Sequence, residues 1–215
     1  DMAFIDPPAM VNKGVLVRDK RSWSDFSPRF VVDYHFNDKA MVFGSLAKGY
    51  KAGGFNALQI GPAFENEDVW NLEAGIKQSF GRFAWNASVF HYRYDNRQSI
   101  RLIDPDPNNP VDIPRFVFDT GDLEATGIDF DMRWKVTDAF TLDAQAGWID
   151  SNYKDYVTPE GVDRNGEPTG EPRFTASVGA AYRMSLGDSG DLRLSARHAY
   201  RGRTRCNAGS DQQGD

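Results

Sequence analysis

The chain has 215 residues and a formal net charge of −6. Its pI of about 5.1 excludes the basic footprint of a nucleic-acid binder. No run approaches the ~20 consecutive apolar residues of a membrane helix, which leaves open strands that hide their hydrophobicity in alternation.

Residues 1–10, DMAFIDPPAM, have neither a basic nor a long apolar region, so no signal peptide is expected there. The first patterned run is RFVVDYHF, where Phe30, Val32, Tyr34 and Phe36 alternate with Arg29, Asp33 and His35. After the short NDK, the run AMVFGSLAKGY carries apolar residues on both faces, so the facing of 40–50 stays open. VWNLEAGIKQSF sets Trp70, Leu72, Ala74, Ile76 and Phe80 against Asn71, Glu73, Gly75 and Lys77. Two residues, Gly81 and Arg82, separate it from FAWNASVFHYRY, whose facing (83–94) is again open.

ATGIDFDMRW then alternates without a fault. Ile128, Phe130, Met132 and Trp134 fall on one face, and Gly127, Asp129, Asp131 and Arg133 on the other. FTLDAQAGW repeats this, with Leu142 on the apolar side and Asp143 on the polar one. TASVGAAYRMSL places Val178 on the apolar face, and LRLSARHAYR sets Leu192 and Leu194 against Arg193 and Arg197.

Short connections (37–39, 81–82, 135–139, 187–191) alternate strictly with long ones rich in Gly, Pro, Asn and Asp (51–66, 102–114, about 154–172). The short ones suit hairpin turns. The pattern predicts an all-β fold, an antiparallel meander of about eight long strands in four hairpins, with no helical period.

The patterned runs are mostly nine to twelve residues long, against about 5–6 for soluble strands. Ten steps from Trp70 to Phe80 cover ~34 Å, or ~26 Å along a membrane normal at ~40° tilt. Aromatics gather at the short-turn end (Phe36, Phe80, Phe83, Trp134, Phe140) and again towards the other (Trp70, Trp148, Tyr200). A ~25 Å apolar band with aromatic girdles, short turns on one side and long loops on the other is the outer-membrane arrangement. The expectation is therefore that Leu72, Ile76, Ile128, Phe130, Leu142, Val178 and Leu194 face lipid. Glu73, Lys77, Asp129, Asp131, Arg133, Asp143, Arg193 and Arg197 would then face a lumen. A soluble β-sheet binding protein or enzyme is the bland alternative, because alternation suits it equally.

Several stretches resemble the TonB-dependent receptors of Gram-negative outer membranes. FSPRFVVDYHF followed by MVFGSLAKGYKAGGFN is similar to a hairpin running into a G-Y-[KR]-x-G-G-F-N loop. ENEDVWNLEAGIKQSF is similar to the family's next strand, opened by Glu65 or Glu67. VFDTGDLEATGIDFDMRW resembles N-x-G-x-A-x-x-x-G-[IVF]-E, with Thr120 where Asn is commoner and Asp129 where Glu is common. GEPRFTASVGAAYRM looks like a strand late in the barrel. The resemblance covers most of residues 22–203, and the order of the pieces is its most specific feature.

The resemblance implies a 22-stranded barrel, an N-terminal plug and an inner-membrane complex that pulls on the plug. It implies import of a scarce small molecule, a ferric siderophore by default and a metal chelate in general. Residues 1–215 are then read as part of the barrel domain, an open curled section without the plug domain or final strands, in the outer membrane of a Gram-negative bacterium. The partners expected are outer-membrane lipid, the TonB-type energising complex through the plug, and the substrate. No nucleic acid, enzyme activity or cofactor is expected. The second alternative is a self-contained small barrel of eight strands with a structural or adhesive role.

Other candidates are weaker. YKAGGFN (50–56) lacks a phosphate-loop pattern and is read as an extracellular loop tip whose Tyr50, Phe55 and Asn56 contact substrate. Asp104, Asp106 and Asp112 lack EF-hand spacing. His35, His91 and His198 lie on separate strands without ligand spacing, so no metal site is expected. No G-x-S-x-G element stands out. The charged faces are expected to touch the plug. Cys206 is the one cysteine, so any disulfide partner lies outside this chain.

Overall fold

The computed structural model describes residues 2–5, 16–55, 63–103, 115–158, 161–205 and 213–214. Asn56, Asp104, Asp106, Asp112 and Cys206 lie outside the described residues. Two short strands, β1 (Met2–Ile5) and β2 (Leu16–Asp19), pair with each other. So do β11 (Thr204–Arg205) and β12 (Gln213–Gly214). Between them runs one sheet of eight antiparallel strands in chain order: β3 (Arg29–Asn37), β4 (Ala40–Lys51), β5 (Glu67–Phe80), β6 (Phe83–Ile103), β7 (Arg115–Lys135), β8 (Phe140–Asp155), β9 (Phe174–Ser185) and β10 (Asp191–Arg201). The only helical element among the described residues is a 3₁₀ turn at Gly187–Ser189.

The meander and its turns follow the sequence pattern. The two-residue turn after β5 has Gly81 at φ +57°, which a side chain would resist. Strand length departs from the nine to twelve residues expected, because β6 and β7 each have 21. Their pairing continues from Arg97↔Gly121 to Ile103↔Arg115, beyond the last partner of β5 and of β8. An irregularity between Tyr94 and Arg97 absorbs the change of course. There Asn96 takes φ 54° and its N–H donates to Asp122 Oδ1 at 2.9 Å.

The register settles the two faces that the sequence left open. Phe43 pairs with Gly75, Ser88 with Asp129, and Asn86 with Asp131, so these belong to the charged face. Val42 pairs with Ile76, and Val89 with both Ala74 and Ile128, on the apolar face.

This single layer has almost no core. Leu72, Val178 and Leu194 are 56%, 56% and 58% exposed, and nothing described covers the apolar face. A soluble sandwich would bury that face against a second sheet. The face is bounded instead. Above Leu46, Leu72, Val89, Ile128 and Trp148, the next residues on that side are Lys48, Trp70 then Asp68, His91, Thr126 and Asp150. Below, Phe80, Phe83 and Trp134 stand in one row, and Trp134 pairs on with Leu142. The eight steps from Phe140 to Trp148 span ~27 Å of strand. Such a band, uncovered and closed off by charge on one side and aromatics on the other, is matched to a bilayer.

β3 and β10 are the outermost strands of the sheet, and they do not pair with each other among the described residues. The sheet is open, which removes the self-contained eight-stranded barrel.

Candidate functional site

Period-2 alternation puts Glu73, Lys77, Asp129, Asp131, Arg133, Asp143, Arg193 and Arg197 on one face of the sheet. Cross-strand pairing brings several of them together. Asn86 donates through Nδ2 to both carboxylate oxygens of Asp131, at 3.1 and 2.9 Å. Arg197 donates to Asp143 Oδ2 at 2.6 Å, across β9. Arg133 stands directly opposite Asp143 in the β7–β8 ladder. Arg193 is set apart, paired with Arg183 near the short turn, and Arg183 forms an ion pair with Asp191.

Aromatic rings share this polar face, and glycines make room for them. The Phe43 ring lies over Gly75, and the Lys77 ammonium stands 5.2 Å from its centroid. The Phe90 ring lies over Gly127, where a Cβ would stand 2.2 Å from the ring. Phe90 stacks on Tyr92 at 5.5 Å with planes 3° apart, and Tyr92 meets Tyr94 edge-on at 5.6 Å. The face thus carries acids and bases below and an aromatic ladder above.

Of the expected loop-tip residues, Tyr50 lies within a strand, Phe55 lies in the connection that follows it, and Asn56 lies outside the described residues. Tyr50 belongs to β4 and pairs with Asp68, on the apolar side and above its charged boundary. Phe55 meets Trp23 edge-on at 6.2 Å, and Trp23 also covers Gly53. Residues 20–28 therefore buttress this end of β4. Lys48 forms an ion pair with Asp25 and another, at 3.5 Å, with Asp68. The Lys48 N–H donates to the Pro28 carbonyl at 2.9 Å. Neither Trp23 nor Asp25 stands out in the sequence, because their partners lie about two dozen residues away or more with no periodic link.

Among the described residues, no group of three or more His, Cys, Asp or Glu side chains could hold a metal ion.

A family model described as TonB dependent receptor-like, beta-barrel, matches residues 7–214. The chain belongs to that family. Its fold is similar to that of the ferric yersiniabactin uptake receptor FyuA from Yersinia pestis, with a TM-score of 0.68 and 17% identity over 86% of this chain and 27% of that one. The FrpB iron transporter from Neisseria meningitidis gives 0.61 and 19%, over 89% and 28%. The copper transporter OprC gives 0.64 and 13%, over 88% and 28%. The chain thus spans about a quarter of the length of these structures. TonB-dependent receptor barrels are built into the outer membrane of Gram-negative bacteria, and this chain belongs there. The family is one of receptors and transporters.

Proposed function

We propose that the chain is a wall section of a TonB-energised receptor whose whole form imports an iron chelate, most simply a ferric siderophore. The observation that carries this reading is the two-faced single sheet: an uncovered apolar band on one side, and charge with an aromatic ladder on the other. On this reading Leu72, Ile76, Ile128, Phe130, Leu142, Val178 and Leu194 touch lipid. Glu73, Lys77, Asp129, Asp131, Arg133, Asp143, Arg193 and Arg197 line the lumen. Those not satisfied within the wall, as Asp143 and Arg197 are by each other, bond the plug and release it when the energising complex pulls. Residues 1–215 contribute wall to the barrel domain, with the plug and further strands supplied by the rest of the receptor. The part catalyses nothing; it lines, binds and guides.

Uptake of radiolabelled iron tests the proposal. The full-length receptor is expressed in cells lacking their own siderophore receptors, and a panel of ferric siderophores is offered. Energy-dependent uptake of at least one chelate, lost on deleting the TonB component, is the expected result. Uptake of copper alone would replace the iron reading, since OprC shows that this fold also serves a copper transporter. Uptake that persists without the energising complex would overturn the energised mechanism.

A further inference from the structure

Among the described residues, the most buried lie on the charged face, not the apolar one. Leu123 and Ala125 of β7 are each 1% exposed, and Tyr156 is 2% exposed. Ser151, Thr158 and Thr169 are buried with them. Beside them lies the connection between β8 and β9, which the sequence presents as a surface loop: Tyr156 packs over Gly121, two residues before Leu123, and Thr169 bonds Ser151, the ladder partner of Ala125.

This connection is ordered along much of its length. It turns back on itself through the bridge Val157↔Asp163, with the Arg164 N–H donating to the Tyr156 carbonyl at 2.9 Å. Its return limb runs beside the end of β8. Asn152 bridges to Pro168, the Tyr153 N–H donates to the Glu167 carbonyl at 3.0 Å, and the Thr169 N–H donates to the Ser151 carbonyl at 3.0 Å.

Two anchors hold it to the wall. The Tyr156 ring fills the space that a side chain would need at Gly121, where a Cβ would stand 2.7 Å from the ring, and it packs on Tyr153 with centroids 4.8 Å apart. Glu171 gathers the second anchor. Its carboxylate accepts from Ser151 Oγ at 2.9 Å, from the Thr169 hydroxyl, and from Arg97 Nη2 at 3.3 Å. Arg97 belongs to β6, so Glu171 ties the connection to the long β6–β7 hairpin as well as to β8.

We infer that the β8–β9 connection is a strap seated on the charged face of the wall by Tyr156 and Glu171, and not a free extracellular loop. The hydroxyls of Ser151, Thr158 and Thr169 are each hydrogen-bonded, which favours one fixed position over many. Leu123, Ala125 and Ser151 are therefore closed to any substrate, which would meet the strap's outer side around Asp163 and Asn165 instead. That consequence rests on the charged face being the lumen. The seating itself does not.

Thiol labelling of the folded full-length receptor in detergent micelles tests the seat, in a Cys206→Ser background. Ala125→Cys should react at least about tenfold more slowly than the strap-tip control Asp163→Cys, because reagent reaches it only through local opening. Adding Tyr156→Ala, or Glu171→Ala if the first variant does not fold, should bring the two rates together. Equal rates in the parent would overturn the strap. So would an Ala125→Cys thiol that stays protected in both unanchored variants. Labelling of Asp163→Cys on intact cells by an impermeant reagent reads the orientation of the wall separately, so a failure there leaves the micelle result standing.

Discussion

The Asp143 carboxylate on β8 reaches Arg197 on β10 by lying across Gly179 of the strand between them. A Cβ at Gly179 would stand 2.6 Å from Asp143 Oδ2, and the ion pair closes at 2.6 Å. The glycine thus acts through the pair. Its side chains are 34% and 55% exposed, so water screens it and the pair is worth only ~0–1 kcal/mol. Gly179→Ala must push the carboxylate aside. It and Asp143→Asn should each cost under about 1 kcal/mol, and the double variant no more than either alone. Urea titrations of the full-length receptor in lipid measure the cycle. Additive costs would show that Gly179 serves something other than Asp143.

The facing of the sheet has its own test. Val178 sits midway along the apolar run of β9 and is 56% exposed, so replacing it removes little packing within the sheet. Val178→Arg should cost about 2–4 kcal/mol in lipid, as a charge near the bilayer midplane does. Gln145→Arg places the same group on the opposite face, in the row of Asp131, and should cost under ~1 kcal/mol. A larger cost at Gln145 would turn the sheet inside out.

Much of this wall is legible in the sequence, and the illegible parts have physical causes. From Gly127 to Trp134 the alternation is uninterrupted, and the structure keeps it residue by residue. The runs at 40–50 and 83–94 resist reading because Phe43 and Phe90 are large apolar residues on the charged face. Each is lodged over a glycine of a neighbouring strand, Gly75 and Gly127, more than thirty positions away in the chain. A period-2 rule counts such a ring as a fault. Pairing register is needed to see it as a fit. The same limit hides the strap, since Gly121 and Tyr156 reveal their relation only once β7 and β8 are side by side. The end of β4 is obscured for another reason. GYKAGGFN reads as one loop, yet β4 runs on to Lys51 because residues 20–28 support it on one side and β5 on the other.

That support should weaken in acid. The Asp25 carboxyl is held below its ordinary pKa, chiefly by the hydrogen bond from Lys48, with burial opposing and Ser27 assisting. A carboxyl whose folded pKa lies below its unfolded one stabilises fully above the ordinary carboxylate range. That contribution fades as pH falls through the folded value. Hydrogen exchange at the Lys48 amide, which donates to the Pro28 carbonyl, reports the buttress directly. After correction for intrinsic exchange, protection should be flat above the carboxylate range and fall below it. Asp25→Asn should remove the dependence. Unchanged protection through the acid range would show that the backbone bond alone holds residues 20–28 in place.

The open edges make the most severe prediction. β3 and β10 each pair on one side only among the described residues, so each leaves a row of N–H and C=O groups facing outward. In water such an edge is tolerable, but in hydrocarbon each unpaired group costs several kcal/mol. The apolar band forbids the other escape, because Leu72, Val178 and Leu194 cannot stay in water without finding apolar partners. Closing eight strands on themselves would demand a tighter curvature than that of the large barrels whose fold this section shares. Residues 1–215 expressed alone should therefore aggregate. They should show no heat-modifiable band on a gel after refolding with lipid, and should import nothing into cells. The full-length receptor should give the band, since its other strands pair with both edges. A folded, lipid-inserted species of residues 1–215 would mean that β3 and β10 find each other, and a hydrogen-exchange map showing protected amides along both strands would prove it.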